Sequence, residues 1–260
     1  MNKERLTAVI EEICPSESAE SWDNCGFQLD MGAAEIDTVL VSLEVTGAVI
    51  DEAAACGAQM ILTHHPLLFS GIKKIEQTDV IGNYLIRLIQ AGISVYSCHT
   101  SFDKLKDGNN DYFGLLLEFQ GVHPFDADNG FCRKGQTPFD MTFAELIRKV
   151  SEELTMEERY FRWVGDLTRQ IKTVGWCTGA GSEFILDAKK ESCDLYITGD
   201  LKYHEAQMAK EAGICVLDIG HYGSEKIFTG NMADMLREAT FGTDLEVLKS
   251  QLDLNPFGCI

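Results

Sequence analysis

The sequence has few basic residues and no long apolar run. Lys and Arg number 22 against 41 Asp and Glu, which gives a formal net charge of -19. A field of this sign repels phosphate backbones and anionic lipid surfaces, so we expect neither a nucleic-acid partner nor a membrane partner. No apolar run reaches the roughly 20 residues that a membrane-spanning helix needs. Hydrophobic residues make up 45% of the chain, which is typical of a globular protein with a sizeable core.

Paired cysteines are also missing. The nine cysteines are scattered and form no Cys-x-x-Cys motif, which argues against structural zinc and against a disulfide framework. The first residues carry Leu6, Val9, Ile10 and Ile13 at helical spacing with acidic residues between them, which is no signal-peptide pattern. We therefore expect reduced thiols without catalytic work and a cytoplasmic location.

Apolar runs and helical patterns alternate in both halves of the chain, which predicts an α/β fold. The predicted strands are 38–43, 59–63, 93–98, 171–177, 194–198 and 214–219, and the predicted helices between them are 48–55, 80–90, 183–190 and 203–211. We expect two similar α/β lobes, intertwined or separate, with mostly parallel or mixed sheets: residues 1–128 and 129–260, the C-terminal residues being free to pack back on the first lobe. Gly and Pro residues within 121–140 predict a linker or an irregular excursion between them.

A short motif recurs in the two halves. Residues 91–95 read Ala-Gly-Ile-Ser-Val and lead to His99 and Asp103, and residues 212–216 read Ala-Gly-Ile-Cys-Val and lead to His221 and Glu225. Each half thus carries a carboxylate four residues after a histidine. The agreement favours an internal duplication. The alternative is that any two strand-helix-strand units look alike.

Most of the six histidines lie at or just beyond predicted strand ends. Parallel sheets place ligands beyond the carboxyl ends of their strands, so we expect side chains there to converge. The side chains expected to converge are His64, His65, His99, Asp103, His221 and Glu225. Imidazole and carboxylate together suit zinc, iron or manganese. Three histidines and two carboxylates exceed what one catalytic metal commonly takes, so two divalent ions sharing a bridging carboxylate are predicted. Hydrolysis or hydration is the default chemistry of such a site.

Some polar residues near these strand ends are candidates for supporting roles. His99 and His204 are the candidates for proton transfer to a leaving group, and Asp200 and Tyr203 lie close by in the sequence. For each, hydrogen bonding that serves packing alone is the alternative. Asp23 or Asn24 is a candidate for the site rim, and the alternative is a polar loop pinned by Trp22. The turn at residues 178–182, Thr-Gly-Ala-Gly-Ser, is interpreted as a tight turn rather than a phosphate cradle, because it lacks a phosphate-loop lysine.

Five ordered blocks resemble one known family over nearly the whole chain. They are Trp22-Asp-Asn-Cys-Gly26, Thr63-His-His-Pro66, His99-Thr-Ser-Phe-Asp103 with Gly108-Asn-Asn-Asp111, Thr198-Gly-Asp-Leu-Lys-Tyr-His204 and Gly220-His-Tyr-Gly-Ser-Glu225. The chain thereby resembles the NGG-interacting-factor-three-like family, also called the dinuclear-metal-centre hexameric family or GTP cyclohydrolase 1 type 2 homologues. The departure is Glu44, where the family usually has an aspartate.

The resemblance implies a toroidal homohexamer with metal sites facing an inner cavity. It implies metal ligands at His64, His65, Asp103, His221 and Glu225. A hydrolase acting on a nucleotide or related ring is the first hypothesis for function. The second is a non-catalytic metal-binding assembly or adaptor that stores or delivers metal, or docks a protein partner.

Overall fold

The computed structural model describes residues 1–125 and 130–259, whose contacts divide into two compact units. The first unit contains Met1–Leu105 and Phe228–Asp253, and the second contains Lys106–Ile227 and the residues from Leu254 onward. The boundary that the sequence predicts near residue 128 lies outside the described residues. The chain instead leaves the first unit after Leu105, and it returns to that unit at Phe228.

Eleven strands make up the two sheets of the described chain, taken in order. They are β1 (Gly26–Leu29), β2 (Thr38–Ser42), β3 (Met60–Thr63), β4 (Ser94–Ser97), β5 (Gln120–Pro124), β6 (Arg133–Thr142), β7 (Arg162–Val164), β8 (Gln170–Trp176), β9 (Leu195–Thr198), β10 (Cys215–Asp218) and β11 (Glu246–Lys249).

Ten α-helices accompany the strands in the described residues. They are α1 (Lys3–Ile13), α2 (Gly47–Ala55), α3 (Val80–Ala91), α4 (Thr100–Lys104), α5 (Asn109–Leu116), α6 (Phe143–Glu153), α7 (Ile185–Lys190), α8 (Tyr203–Ala212), α9 (His221–Glu225) and α10 (Phe228–Ala239). Local chemistry sets their ends. Asp79 caps α3 by accepting a hydrogen bond from Gly82 N, and Gly92 ends it with a left-handed φ of 69°.

The sheet of the first unit has the order β1-β4-β3-β2-β11. Strands β2, β3 and β4 are parallel, β11 joins β2 in parallel, and β1 pairs with β4 in antiparallel fashion. Every residue of β2, β3 and β4 is buried, as expected for parallel strands covered on both faces.

The sheet of the second unit repeats part of this plan in the order β5-β6-β8-β9-β10-β7. Strands β8, β9 and β10 are parallel, and β7 pairs with the last of them in antiparallel fashion, as β1 does with β4. The two sheets differ in the strand that lies on the other side of β2 and of β8. In the second unit β6 is antiparallel to β8, whereas in the first unit β11 is parallel to β2. The predicted fold class, α/β with mixed sheets, is thereby confirmed, and the shared plan supports an internal duplication.

The prediction of a linker over residues 121–140 is wrong for the described part of that segment. Gln120–Pro124 and Arg133–Thr142 are the paired strands β5 and β6. All but one residue of β5 are exposed, so the strand lies at the sheet edge and carries no apolar alternation. Gly121 has a φ of 63° at an irregularity in this pairing. Gly121 therefore lies at an irregularity within a strand and not in a link between domains.

The structure also bears on the cysteines and on the apolar segments of the chain. All nine cysteines are free thiols, and six of them are fully or nearly buried. Among the described residues, no helix combines the length and the apolar character needed to cross a bilayer.

Candidate metal site

The pair His64 and His65 directly follows β3, where the chain turns away from the sheet. The backbone N–H groups of both residues donate to the Leu43 carbonyl, at 3.1 and 2.9 Å. The Thr63 hydroxyl donates to the His65 carbonyl at 2.9 Å, which tightens the turn. The two imidazole centroids lie 5.2 Å apart, so neighbouring residues present their rings to one place instead of to opposite faces of a strand.

His99 joins this pair because β4 runs beside β3. Thr63 pairs with Ser97 in register, so both strands end at the same edge of the sheet. The centroid of the His99 ring lies 5.2 Å from that of His64 and 5.7 Å from that of His65. Each of the three imidazoles offers a nitrogen within 4.8 Å of the others, a spacing that can hold a metal ion. His99, predicted as a proton-transfer residue, is therefore also placed among the donors.

Asp23 fixes the ring of His99. The Nδ1–H of His99 donates to Asp23 Oδ1 at 2.9 Å, and the Thr100 N–H donates to Asp23 Oδ2 at 3.0 Å. Burial alone would raise the pKa of Asp23, but the hydrogen bonds from His99 and Thr100 outweigh it and hold the pKa well below its usual value. An ionised Asp23 on Nδ1 leaves Nε2 of His99 for the imidazole cluster.

His64 and Asp103 supply the most buried donors of the first unit. The Nδ1 atom of His64 lies 2.9 Å from the Cys98 carbonyl, and Nε2 lies 3.5 Å from Asp103 Oδ1. Asp103 belongs to the short helix α4 that follows His99. Metal-ligating histidines in proteins donate their second ring N–H to a carbonyl or a carboxylate, and the contact of His64 Nδ1 with the Cys98 carbonyl is of this kind.

His221 and Glu225 lie one helical turn apart in α9 of the second unit. Nε2 of His221 lies 2.9 Å from Glu225 Oε2, and Nδ1 lies 2.8 Å from Asp200 Oδ2. Asp200 is near because Thr198 pairs with Asp218, so β9 and β10 end at the same edge. Burial would lower the pKa of His221, but Glu225 and Asp200 outweigh it and raise the pKa to about 10. These two carboxylates stabilise positive charge at this ring.

The turn at residues 178–182 lies against Glu225. The N–H of Gly179 donates to the Ser224 hydroxyl at 2.8 Å, and the N–H of Gly181 donates to the Thr198 hydroxyl at 2.9 Å. Gly179 has a φ of 70°, and a Cβ there would overlap the Glu225 carboxylate. Because these backbone donors are used within the protein, the structure favours a tight turn that packs against Glu225 over a phosphate cradle.

The remaining candidates differ in their surroundings. His204 lies exposed in the first turn of α8, with its ring centroid 5.3 Å from that of Tyr203. Asp200, a supporting candidate from the sequence, contacts His221 directly. Sequence reasoning missed the contact between Gly179 and Glu225. The signal available was the glycine pair in the Thr-Gly-Ala-Gly-Ser turn.

Comparison with known proteins identifies relatives over almost the full length. The family model Duf34/NIF3 (NGG1p interacting factor 3) matches residues 1–256. A Clostridium perfringens protein named GTP cyclohydrolase 1 type 2 homolog is 36% identical over 254 residues, which is 96% of this chain and 96% of the relative. A Helicobacter pylori protein named GTP cyclohydrolase 1 type 2 is 31% identical, covering 96% of this chain and 97% of that protein.

The fold also matches solved structures. A Bacillus cereus protein described as related to NIF3 superposes with a TM-score of 0.92 over 100% of this chain and 99% of its own, at 21% identity. At this identity the likeness concerns the fold alone.

Proposed function

Because this chain belongs to the Duf34/NIF3 family, we propose that it is a metal-dependent hydrolase of the GTP cyclohydrolase 1 type 2 kind, acting on a nucleotide or a related ring. One observation carries the proposal. In the proposed ligands His64 and His221, Nδ1 lies within hydrogen-bond distance of a carbonyl or a carboxylate oxygen, which is the contact that orients a metal-ligating imidazole in proteins.

The proposed ligand set for two divalent ions remains the one that the sequence predicts. It comprises His64, His65, Asp103, His221 and Glu225, with zinc, iron or manganese as the ions. In each unit an imidazole nitrogen lies close to a carboxylate oxygen, which supports this set. The distance from His64 Nε2 to Asp103 Oδ1 is 3.5 Å in the first unit, and that from His221 Nε2 to Glu225 Oε2 is 2.9 Å in the second. Nitrogen and oxygen donors of these kinds would hold a divalent cation.

The chain's own residues have separate tasks in the proposed reaction. Bound divalent ions supply Lewis-acid polarisation and make a water molecule nucleophilic near neutral pH. Asp23 holds His99 in one orientation, so that Nε2 of His99 can move a proton to or from the substrate. His204 is the second candidate for that proton. Asp200 orients His221 through Nδ1.

We also propose that the chain forms a homohexamer and resides in the cytoplasm, as the family resemblance and the cysteine content predict. The nine free thiols support a reducing compartment. Analytical ultracentrifugation of the purified protein tests the assembly, because a stable monomer or dimer would contradict it.

The function is tested by metal reconstitution. The protein is stripped of metal, reloaded separately with zinc, iron or manganese, and assayed for release of products from GTP. We expect turnover with at least one metal, and a loss of about 100-fold or more in His65→Ala, since ligand loss removes both affinity and Lewis acidity. His123→Ala is the matched control, because His123 is exposed and its Nδ1 bonds the nearby Gly121 carbonyl.

Two results would contradict the proposal. Unchanged turnover in a folded His65→Ala variant would remove the catalytic assignment. Metal that binds and passes readily to an apo-acceptor, with no turnover under any loading, would favour the metal-delivery alternative.

A further inference from the structure

Two large aromatic side chains lie exposed beside the imidazole cluster of the first unit. Trp22 is 58% exposed and Phe69 is 55% exposed. Their ring centroids lie 5.9 Å apart with an interplanar angle of 54°, so the rings contact each other while much of each remains open to solvent. Single exposed apolar residues are common, whereas two exposed aromatic side chains in contact beside a polar site indicate a binding surface.

Both rings touch the same histidine. The centroid of the His99 ring lies 6.3 Å from that of Trp22 and 6.3 Å from that of Phe69, with interplanar angles of 77° and 82°. His99 in turn belongs to the cluster with His64 and His65. A ring that rests on Trp22 and Phe69 would therefore have one imidazole, that of His99, between it and His64 and His65.

Hydrogen bonds fix the backbone behind the two aromatic residues. The Asn24 side-chain amide donates to the Leu68 carbonyl at 2.6 Å, and the Leu68 N–H donates to Gln28 Oε1 at 3.1 Å. The buried Gln28 amide also donates to the Asn24 carbonyl at 2.6 Å. The segment that carries Trp22 is thus tied to the segment that carries Phe69, and Asp23 anchors it further to His99.

We propose that Trp22 and Phe69 form a stacking platform for the planar heteroaromatic ring of the substrate. The inference rests on the proposed function, because it assigns the ring-binding surface of that same site. Aromatic side chains stack nucleobases by their faces, and a pre-ordered pair loses little conformational entropy on binding. With a net charge of -19, the long-range field of the protein does not favour a phosphate, so contact with the ring adds affinity that this field does not supply.

The test follows Trp22 directly. The chain has three tryptophans: Trp22, the half-exposed Trp163 in the second unit and the buried Trp176. The full-length protein is labelled with fluorotryptophan, loaded with zinc, and titrated with guanosine monophosphate or with ribose phosphate, which lacks the ring. We expect the guanine ring to shift the Trp22 fluorine resonance and to leave the other two in place. Ribose phosphate should shift none of the three.

Variants measure the contribution of each ring. Trp22→Leu and Phe69→Leu are each expected to weaken guanosine monophosphate binding by about 10-fold or more, since stacking one base contributes a factor of roughly 5 to 150 in affinity. Neither should change ribose phosphate binding. Trp163→Leu and Phe139→Leu are the matched controls, because these side chains are 50% and 62% exposed in the other unit.

The outcomes separate this inference from the proposed function. Wild-type affinity for guanosine monophosphate in both Trp22→Leu and Phe69→Leu would overturn the platform, even if metal-dependent turnover persists. The platform would also be overturned if Trp22→Leu and Phe69→Leu changed the sedimentation coefficient of the protein but left its affinity for guanosine monophosphate unchanged. That result would assign the two aromatic residues to contacts between copies of the chain. Ring binding at Trp22 without turnover under any metal would refute the hydrolase and retain the platform.

Discussion

A single methyl group at Gly179 should weaken metal binding through Glu225. Gly179 has a φ of 70°, and an added Cβ would overlap Glu225 Oε1 and lie 3.0 Å from Glu225 Cδ and 3.7 Å from His221 Cε1. The carboxylate cannot stay where it is in Gly179→Ala. If Glu225 binds metal, its displacement must lower the affinity.

A second glycine offers the matched control. Gly213, in the same unit, has a φ of 69°, and nothing lies within 4 Å of a Cβ built on it. Both alanine variants carry the strain of a left-handed backbone, about 1–2 kcal/mol of lost stability. Gly179→Ala carries in addition the cost of overpacking, about 1–3 kcal/mol. Displacement of a ligand carboxylate should reduce zinc affinity by about 10- to 100-fold.

Two measurements decide the matter. Urea unfolding of the metal-free variants gives the stability difference, and zinc titration against a competing chromophoric chelator gives the affinity. We expect Gly213→Ala to bind zinc as the wild type does and Gly179→Ala to bind it more weakly. Equal zinc affinity in the two variants would refute the role of Glu225 as a ligand. Equal stability would refute the steric contact.

Two further predictions concern pH and metal removal. The pKa of Asp23 is lowered in the folded protein, so its stabilising contribution is complete above the unfolded-state pKa and is lost as pH falls through the folded value. Asp23→Asn should therefore lower the free energy of unfolding by about 1.5–3 kcal/mol near neutral pH. Urea unfolding at several pH values should show the difference between wild type and variant shrinking in acid. A difference that does not change with pH would contradict an ionised Asp23. Zinc at about 100 times its dissociation constant should stabilise the protein by about 2.7 kcal/mol over the chelator-treated form, and no rise in melting temperature would contradict a native-state site.

The sequence predicts the central strands well because their physical signal is local. Strands β2, β3, β4, β9 and β10 lie within short, largely apolar runs and are buried along their whole length. The observed ends fall within a residue of the predicted ones. Helices α3 and α8 end at Gly92 and Gly213, as their patterns predict.

The edge strands escape prediction for the opposite reason. β5 is mostly exposed and β7 has only three residues, so neither carries an apolar pattern that a window of sequence can detect. Pairing with a neighbour defines these strands. Gly121 and Gly135 lie where β5 pairs with β6, although glycines in a polar stretch of sequence favour a linker.

Part of the candidate site is likewise predictable from the sequence, and part is not. The carboxyl ends of parallel strands place His64, His65 and His99 together, which strand order alone predicts. The bond between Asp23 and His99 joins residues 76 positions apart, and the packing of Gly179 against Glu225 joins residues in different loops. The first contact leaves no local trace in the sequence, and the second leaves only the glycine pair of the Thr-Gly-Ala-Gly-Ser turn.

The return of residues 228–253 to the first unit has a consequence for synthesis on the ribosome. Strand β11 and helix α10 lie in this returning segment and cover the β2 edge of the first sheet. Residues 106–227 emerge before that segment, so the nascent first unit waits with an open hydrogen-bonding edge while the second unit is made. Premature termination near residue 227 would leave that edge bare, a form prone to self-association and to capture by chaperones.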